Sequence, residues 1–126
     1  MEQYRKLYSY LPYFEKRADE NLKTITEGSS LFHASYVEKI NEFVSSFYDS
    51  GFVDSDYGGT LSTHGITSVE KIRGSIPTAS ADLLKAIMTQ MIREERFSSG
   101  AIASYAENGF IEQALRRLGG IYGYTS

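Results

Sequence analysis

The stretch FVDSDYGGTLSTHGI, residues 52–66, gathers side chains that could hold a cation. Asp54, Asp56 and Gly59 match the first, third and sixth positions of an EF-hand loop, where carboxylates ligate calcium and a glycine makes the sharp turn. The match ends there. Gly58 stands at the fifth position, where an oxygen-bearing side chain belongs, and Gly65 at the twelfth, where the bidentate glutamate belongs. A solvated turn is the better reading. The two histidines, His33 and His64, offer imidazoles for a metal site or for proton transfer, with Asp49, Asp54 or Asp56 as partners. Their spacing does not demand it: there is no His-x-x-x-His, and no glutamate lies one helical turn from either. A small-molecule, metal or enzymatic site near His33 and His64 is kept as an alternative.

A second cluster is Arg93, Glu94, Glu95 and Arg96, followed by Phe97. It reads either as a charged recognition patch or as an acid–base site on Glu95. An arginine beside a carboxylate favours the charged form, which makes a weak base near neutral pH. The plainer reading is a salt-bridge cluster at a helix end that anchors the turn Ser98–Gly100, with Phe97 returning to the core. No serine stands in a Gly-x-Ser-x-Gly elbow, and no glycine-rich phosphate loop carries a lysine. The chain has no cysteine, which excludes disulfides, thiolate chemistry and cysteine zinc sites. No catalytic, cofactor-binding or metal-binding residue is assigned, and an enzyme is the less favoured class.

The elements that would position these residues are helical. The densest apolar periodicity lies between Ser80 and Leu118. Ser80 is a suitable N-cap and Asp82 suits the positive end of a helix dipole. Leu83, Leu84, Ile87, Met88, Met91 and Ile92 follow on a face wide enough to be touched from two sides. Ser98–Gly100 breaks this helix. A short helix over 101–108 then stops at Gly109, and a last one over 110–118 is closed by Gly119-Gly120. Upstream, Ser35 and Glu38 have capping-box spacing and open a second strong helix that ends at Gly51 and is expected to pair with the first. Glu27–Ser30 reads as a turn and Leu31–His33 as an extended connector. Tyr4, Leu7, Tyr8 and Leu11 make a short N-terminal helix before Pro12, and an amphipathic pattern continues more weakly through Tyr13, Phe14, Ala18, Leu22 and Ile25. Thr67 and Glu70 cap a short helix over 69–73, and a small hairpin fits around Asp56–Ser62.

The expected fold is therefore all-α, a single domain over residues 1–126 with about five to seven helices and room for one small hairpin. With 41% hydrophobic residues the chain can build its own core. It shows neither a secretory leader nor an apolar run long enough to span a membrane, so a cytoplasmic location is expected. A net charge of −3 argues against nucleic acid. Arg116 and Arg117 would suit a helix-turn-helix over Ile87–Leu118, but Glu107 and Glu112 flank its turn.

The stretch MIREERFSSGAIASYAENGFIEQALRRL resembles the C-terminal signature of a family of small, uncharacterised bacterial helical domains. The positions that carry the likeness are Arg93, Glu95, Arg96, Phe97, Gly100, Gly109, Leu115 and Leu118. The helix from Ser35 to Gly51 resembles that family's middle helix. The resemblance implies a helical fold and a bacterial or phage source, and it implies no activity.

Ten tyrosines and no tryptophan leave aromatic surface at both ends: Tyr4, Tyr8, Tyr10 and Tyr13 at one, Ile121, Tyr122 and Tyr124 at the other. These residues either pack on each other or form an association surface. The expected function is a non-enzymatic interaction module acting through a protein partner or a homo-oligomer. Its candidate interaction or structural cluster is Arg93, Glu95, Arg96, Phe97, Tyr122 and Tyr124. A DNA-associated regulator using the C-terminal helices is the other alternative.

Overall fold

The computed structural model describes residues 4–19 and 30–124, with the side chains of 16–19 and 30–37 outside the description. In chain order the helices are α1 (Arg5–Tyr8), α2 (Leu11–Asp19), α3 (Ser30–Ser50), α4 (Tyr57–Thr63), α5 (Val69–Ser75), α6 (Ala81–Arg93), α7 (Ala101–Glu107) and α8 (Phe110–Tyr122). Short 3-10 turns at Ile76–Thr78 and Glu94–Arg96 precede and follow α6. The described residues form no strand, and the fold is all-α.

Helix α6 is the axis of the core. Ser80 caps it as its sequence implies, its Oγ accepting the Leu83 amide at 3.2 Å, and Asp82 lies in the first turn. Leu84, Ala86, Ile87, Met88 and Met91 are wholly enclosed. Thr89 is enclosed as well. Its hydroxyl is tolerated because it donates to the Lys85 carbonyl at 2.7 Å and accepts the Asp54 amide at 3.0 Å. The nearest neighbours of α6 are α4, α7 and α8.

Helix α4 replaces the expected hairpin around Asp56–Ser62. Glycines 58 and 59 are poor helix formers, by roughly 1 kcal/mol each. Side-chain bonds and burial override that preference. One oxygen of the Asp54 carboxylate accepts the Asp56 amide at 2.8 Å, and the other accepts the Thr60 hydroxyl at 2.6 Å. Leu61 is buried in the core that α6 centres.

Helix α3 begins at Ser30, so Leu31–His33 is helical rather than an extended connector, and Ser35 lies inside the helix rather than at its cap. Neither proline nor glycine interrupts residues 30–35, and the apolar repeat extends back through them. The expected turn at Glu27–Ser30 falls outside the described residues except for Ser30, and Leu22 and Ile25 fall wholly outside them. The closest packing of α3 is with α1, not with α6. Its aromatic contacts reach α2 and the turn before it: the Phe43 ring lies 4.8 Å from Phe14 and 5.6 Å from Tyr10, and the Tyr10 hydroxyl bonds the Ser46 hydroxyl at 3.0 Å. The residues after α3 are tied to α6 through the Asp54 amide, which donates to Thr89.

Two ends also differ from expectation. Ser68, not Thr67, caps α5, its Oγ accepting the Lys71 amide at 3.2 Å. Helix α8 passes through Gly119-Gly120 and stops at Gly123. The reason is that Gly119 faces the Tyr8 ring, so its missing side chain serves packing rather than termination. Between α7 and α8, Gly109 does make the expected stop, with φ +84° in the left-handed region that costs glycine least. Arg73 of α5 steadies that corner, donating to the Asn108 carbonyl at 3.1 Å and lying 4.6 Å from the Phe110 ring centroid.

The aromatic ends close on each other. Tyr4 stacks at 5.0 Å on both Phe52 and Tyr122, and Tyr8 lies 5.6 Å from Tyr124. Tyr4, Tyr8 and Tyr124 are buried and Tyr122 is half-buried. Burial, with Tyr4, Tyr124 and Asp82 nearby, raises the Tyr122 phenol above its ordinary pKa.

Candidate functional site

The residues read as a cation site serve the backbone. Both oxygens of Asp54 are bonded within the entry to α4, and the Asp56 carboxylate lies against Gly59. His64 is exposed at the end of α4, with Nδ1 2.9 Å from the Thr60 carbonyl. Asp54, Asp56, His64, Asp82 and Lys85 do share one open cleft of about 580 Å³. No group of three or more side chains able to hold a metal occurs among the described residues. The His33 side chain lies outside the description.

The two arginines weighed for DNA contact already have partners. Arg117 Nε donates to the Ala79 carbonyl at 2.7 Å, tying α8 to the residue before the α6 cap. Arg116 Nε donates to Glu112 at 3.0 Å, and its Nη2 pairs with Glu15 of α2. The bond to Glu112 raises its pKa further, and the charge of Glu15 adds to that.

The cluster at 93–97 is built differently from a salt-bridge network. Neither Arg93 nor Arg96 pairs with Glu94 or Glu95 among the described residues. Arg93 instead lies 5.8 Å from the Tyr57 ring centroid, toward α4. Glu94 accepts from the Tyr105 hydroxyl at 3.1 Å and from Gln90 Nε2 at 3.3 Å. Burial, then the charge and hydrogen bond of Glu94, push the Tyr105 phenol up to about 12, so it stays a neutral donor at physiological pH. Glu95 folds over the turn that follows. Its Oε2 accepts the Gly100 amide at 2.6 Å and its Oε1 accepts the Ile102 amide at 3.0 Å. One carboxylate thereby satisfies two amides at the start of α7 that no helical carbonyl can reach. Glu95 thus bonds the end of Ser98–Gly100 through the Gly100 amide, not through a salt bridge.

Phe97 is the largest departure. Expected in the core, it is 84% exposed, the most exposed large apolar side chain described. The physical reason is the turn. The 3-10 turn 94–96 and the Glu95 latch draw the backbone tight toward α7, and position 97 falls on the outside of the bend. Beside this turn lies a cleft of about 310 Å³, walled by Val69, Glu94, Ala101, Ser104, Tyr105 and Phe110. Val69 is itself 51% exposed. Of the remaining candidates, Arg96 is exposed at the turn, whereas Tyr122 and Tyr124 belong to the aromatic closure and lie in the core or at its edge.

Glu95→Ala is expected to lower stability by about 1 kcal/mol, the usual loss for a helix-capping acceptor. Amide exchange should speed at Gly100 and Ile102 well beyond the global change. Unchanged protection at those two amides would show that the latch does not hold the turn.

Fold and surface together define an all-α protein in which an outward aromatic and a cleft of mixed polar and apolar lining lie at one tightly turned corner. The chain belongs to DUF6508, a family of unknown function whose model matches residues 1–123. No curated protein and no solved structure matches it. No described helix is long and apolar enough to cross a membrane.

Proposed function

We propose that this protein is a non-enzymatic interaction module, a single helical domain that binds a protein through the face around Phe97. The observation that carries the reading is Phe97, 84% exposed on a turn whose conformation Glu95 fixes. Isolated surface apolar residues are ordinary. This one stands beside a cleft of mixed lining whose edge carries a second exposed apolar residue, Val69. An aromatic carried on a bonded turn spares the entropy of ordering the backbone on binding, and aromatics are common energetic centres of interfaces. The arginines of the C-terminal helices are engaged in internal bonds, which favours this reading over DNA association.

The test compares immobilised protein with its Phe97→Asp variant in nuclease-treated native lysate. A protein retained by the first and reduced at least roughly tenfold by the second is expected, as for a central interface aromatic. The variant should melt where the parent does, since position 97 faces solvent. Equal retention on both surfaces would refute the reading.

A further inference from the structure

The corner between α7 and α8 carries a linkage that can rearrange without an enzyme. Asn108 precedes Gly109 there, whereas Asn21 precedes Leu22 and Asn41 precedes Glu42. An asparagine side chain is open to attack by the backbone nitrogen of the next residue, and glycine, with no side chain, hinders that attack least. We propose that Asn108 is a deamidation site, held shut by the folded corner, and that its product keeps the corner open. In the first step the Gly109 nitrogen gives up its proton and adds to the side-chain carbonyl carbon of Asn108. The bond from that carbon to the side-chain nitrogen breaks, and the nitrogen leaves with the proton as ammonia. Water then opens the five-membered imide at either carbonyl, which leaves aspartate or its β-linked isomer. Water is the only co-reactant.

Asn108 is exposed, so water reaches it. Geometry is what holds the first step back. Ring closure needs the Gly109 nitrogen to eclipse the Asn108 β-carbon. With ψ at 6° it nearly eclipses the Asn108 nitrogen instead. Hydrogen bonds on each side keep it there. The Gly109 amide donates to the Ala106 carbonyl at 3.2 Å, Asn108 Nδ2 donates to the Ser104 carbonyl at 2.8 Å, and Arg73 Nη2 donates to the Asn108 carbonyl at 3.1 Å. Reaction therefore waits for a local opening in which these bonds are lost. The product cannot restore them all. A carboxylate has no N–H to offer the Ser104 carbonyl and only acceptor oxygens to set against it. The β-linked isomer adds a carbon to the main chain, which displaces Gly109 from the left-handed turn that starts α8. Either product adds a negative charge to a chain already at −3, beside the cleft that Asn108 helps to line.

The purified chain is incubated in mildly alkaline buffer, folded and in urea, and peptide mass spectrometry reads the loss of the side-chain amide at each asparagine. In urea Asn108 should convert well ahead of Asn21 and Asn41. In the folded chain it should convert at least roughly tenfold more slowly, a factor set by how seldom the corner opens. Arg73→Ala removes one of the restraining bonds from an exposed position. It should speed conversion several-fold in the folded state, leave the rate in urea unchanged and leave the amides of α6 protected from exchange. Asn108→Asp installs one product directly. It should speed exchange at the Gly109 and Gln113 amides, which bond across the corner, beyond any global change. Equal rates in the folded chain and in urea overturn the lock, and no conversion at Asn108 in urea overturns the site. A folded-state rate in Arg73→Ala equal to the parent's overturns the part given to Arg73. Unchanged exchange in Asn108→Asp overturns the claim that the product keeps the corner open.

Discussion

Phe43→Ala is expected to lower stability by about 3–5 kcal/mol, the range for removing a buried phenylalanine side chain. Phe43 is wholly enclosed, and its ring joins α3 to the N-terminal helices through Phe14 and Tyr10. The loss has three parts: burial of the ring itself, the edge contacts of its two neighbours, and a cavity that the fixed helices cannot close. A domain of ordinary stability holds about 5–15 kcal/mol, so the variant gives up much of its margin. Urea unfolding is the measurement. The midpoint should fall with little change in slope, because the folded state remains as compact. A loss below about 1 kcal/mol would mean that the site collapses freely or that α3 does not pack on α1 and α2 as described.

The same residue shows where sequence reading stops. Phe43 is recognisable as apolar on a helical stripe, because burial leaves a repeat of 3.6. Its partner is not recognisable. The broad apolar faces of α3 and α6 suggest that they pair, but apolarity is non-directional and does not say which surfaces meet. Ring geometry and the Tyr10–Ser46 bond select α2 and the turn before it. Helix α6 and its Ser80 cap were legible because local capping and periodicity agree there. Helix α4 was not, because Gly58-Gly59 and the surrounding serines and threonines carry turn propensities that Asp54, Thr60 and Leu61 override at longer range.

The site divides the same way. The cluster at 93–97 stood out by charge, and the anchoring of the turn after it was legible as a helix-end role. The means was not: Glu95 reaches amides five and seven residues onward, a spacing outside the capping-box pattern. Its apolar side chain points Phe97 to the core, because apolar residues are usually buried. That rule is only a tendency, and it fails where a tight turn fixes a side chain on its outer side. Asp54, Asp56 and His64 looked like chemistry by type alone, and two of the three are occupied in building α4.

Gly119 and Gly120 give the second large effect, and they should respond in opposite directions. A β-carbon at 119 would lie 2.4 Å from a ring carbon of Tyr8. That ring cannot swing away cheaply, because it is packed on Tyr124 in the closure of the first helix on the last. Gly119→Ala must push α1 and α8 apart or force Tyr8 off its rotamer, and a loss of about 1–3 kcal/mol is expected. A β-carbon at 120 would meet nothing closer than Arg117 Nη1 at 3.9 Å. There alanine only removes backbone freedom from the unfolded chain within a helix, and Gly120→Ala should gain about 0.5–1 kcal/mol. Thermal unfolding of the two variants side by side reads the contrast, with the parent melting between them. If both stabilise, Tyr8 does not rest on α8, and the aromatic closure of the two ends is not what keeps glycine at 119. Where Gly119→Ala destabilises, it should add little to the loss that Tyr8→Ala causes by itself, because the truncated side chain no longer meets the β-carbon and the two changes act on one contact.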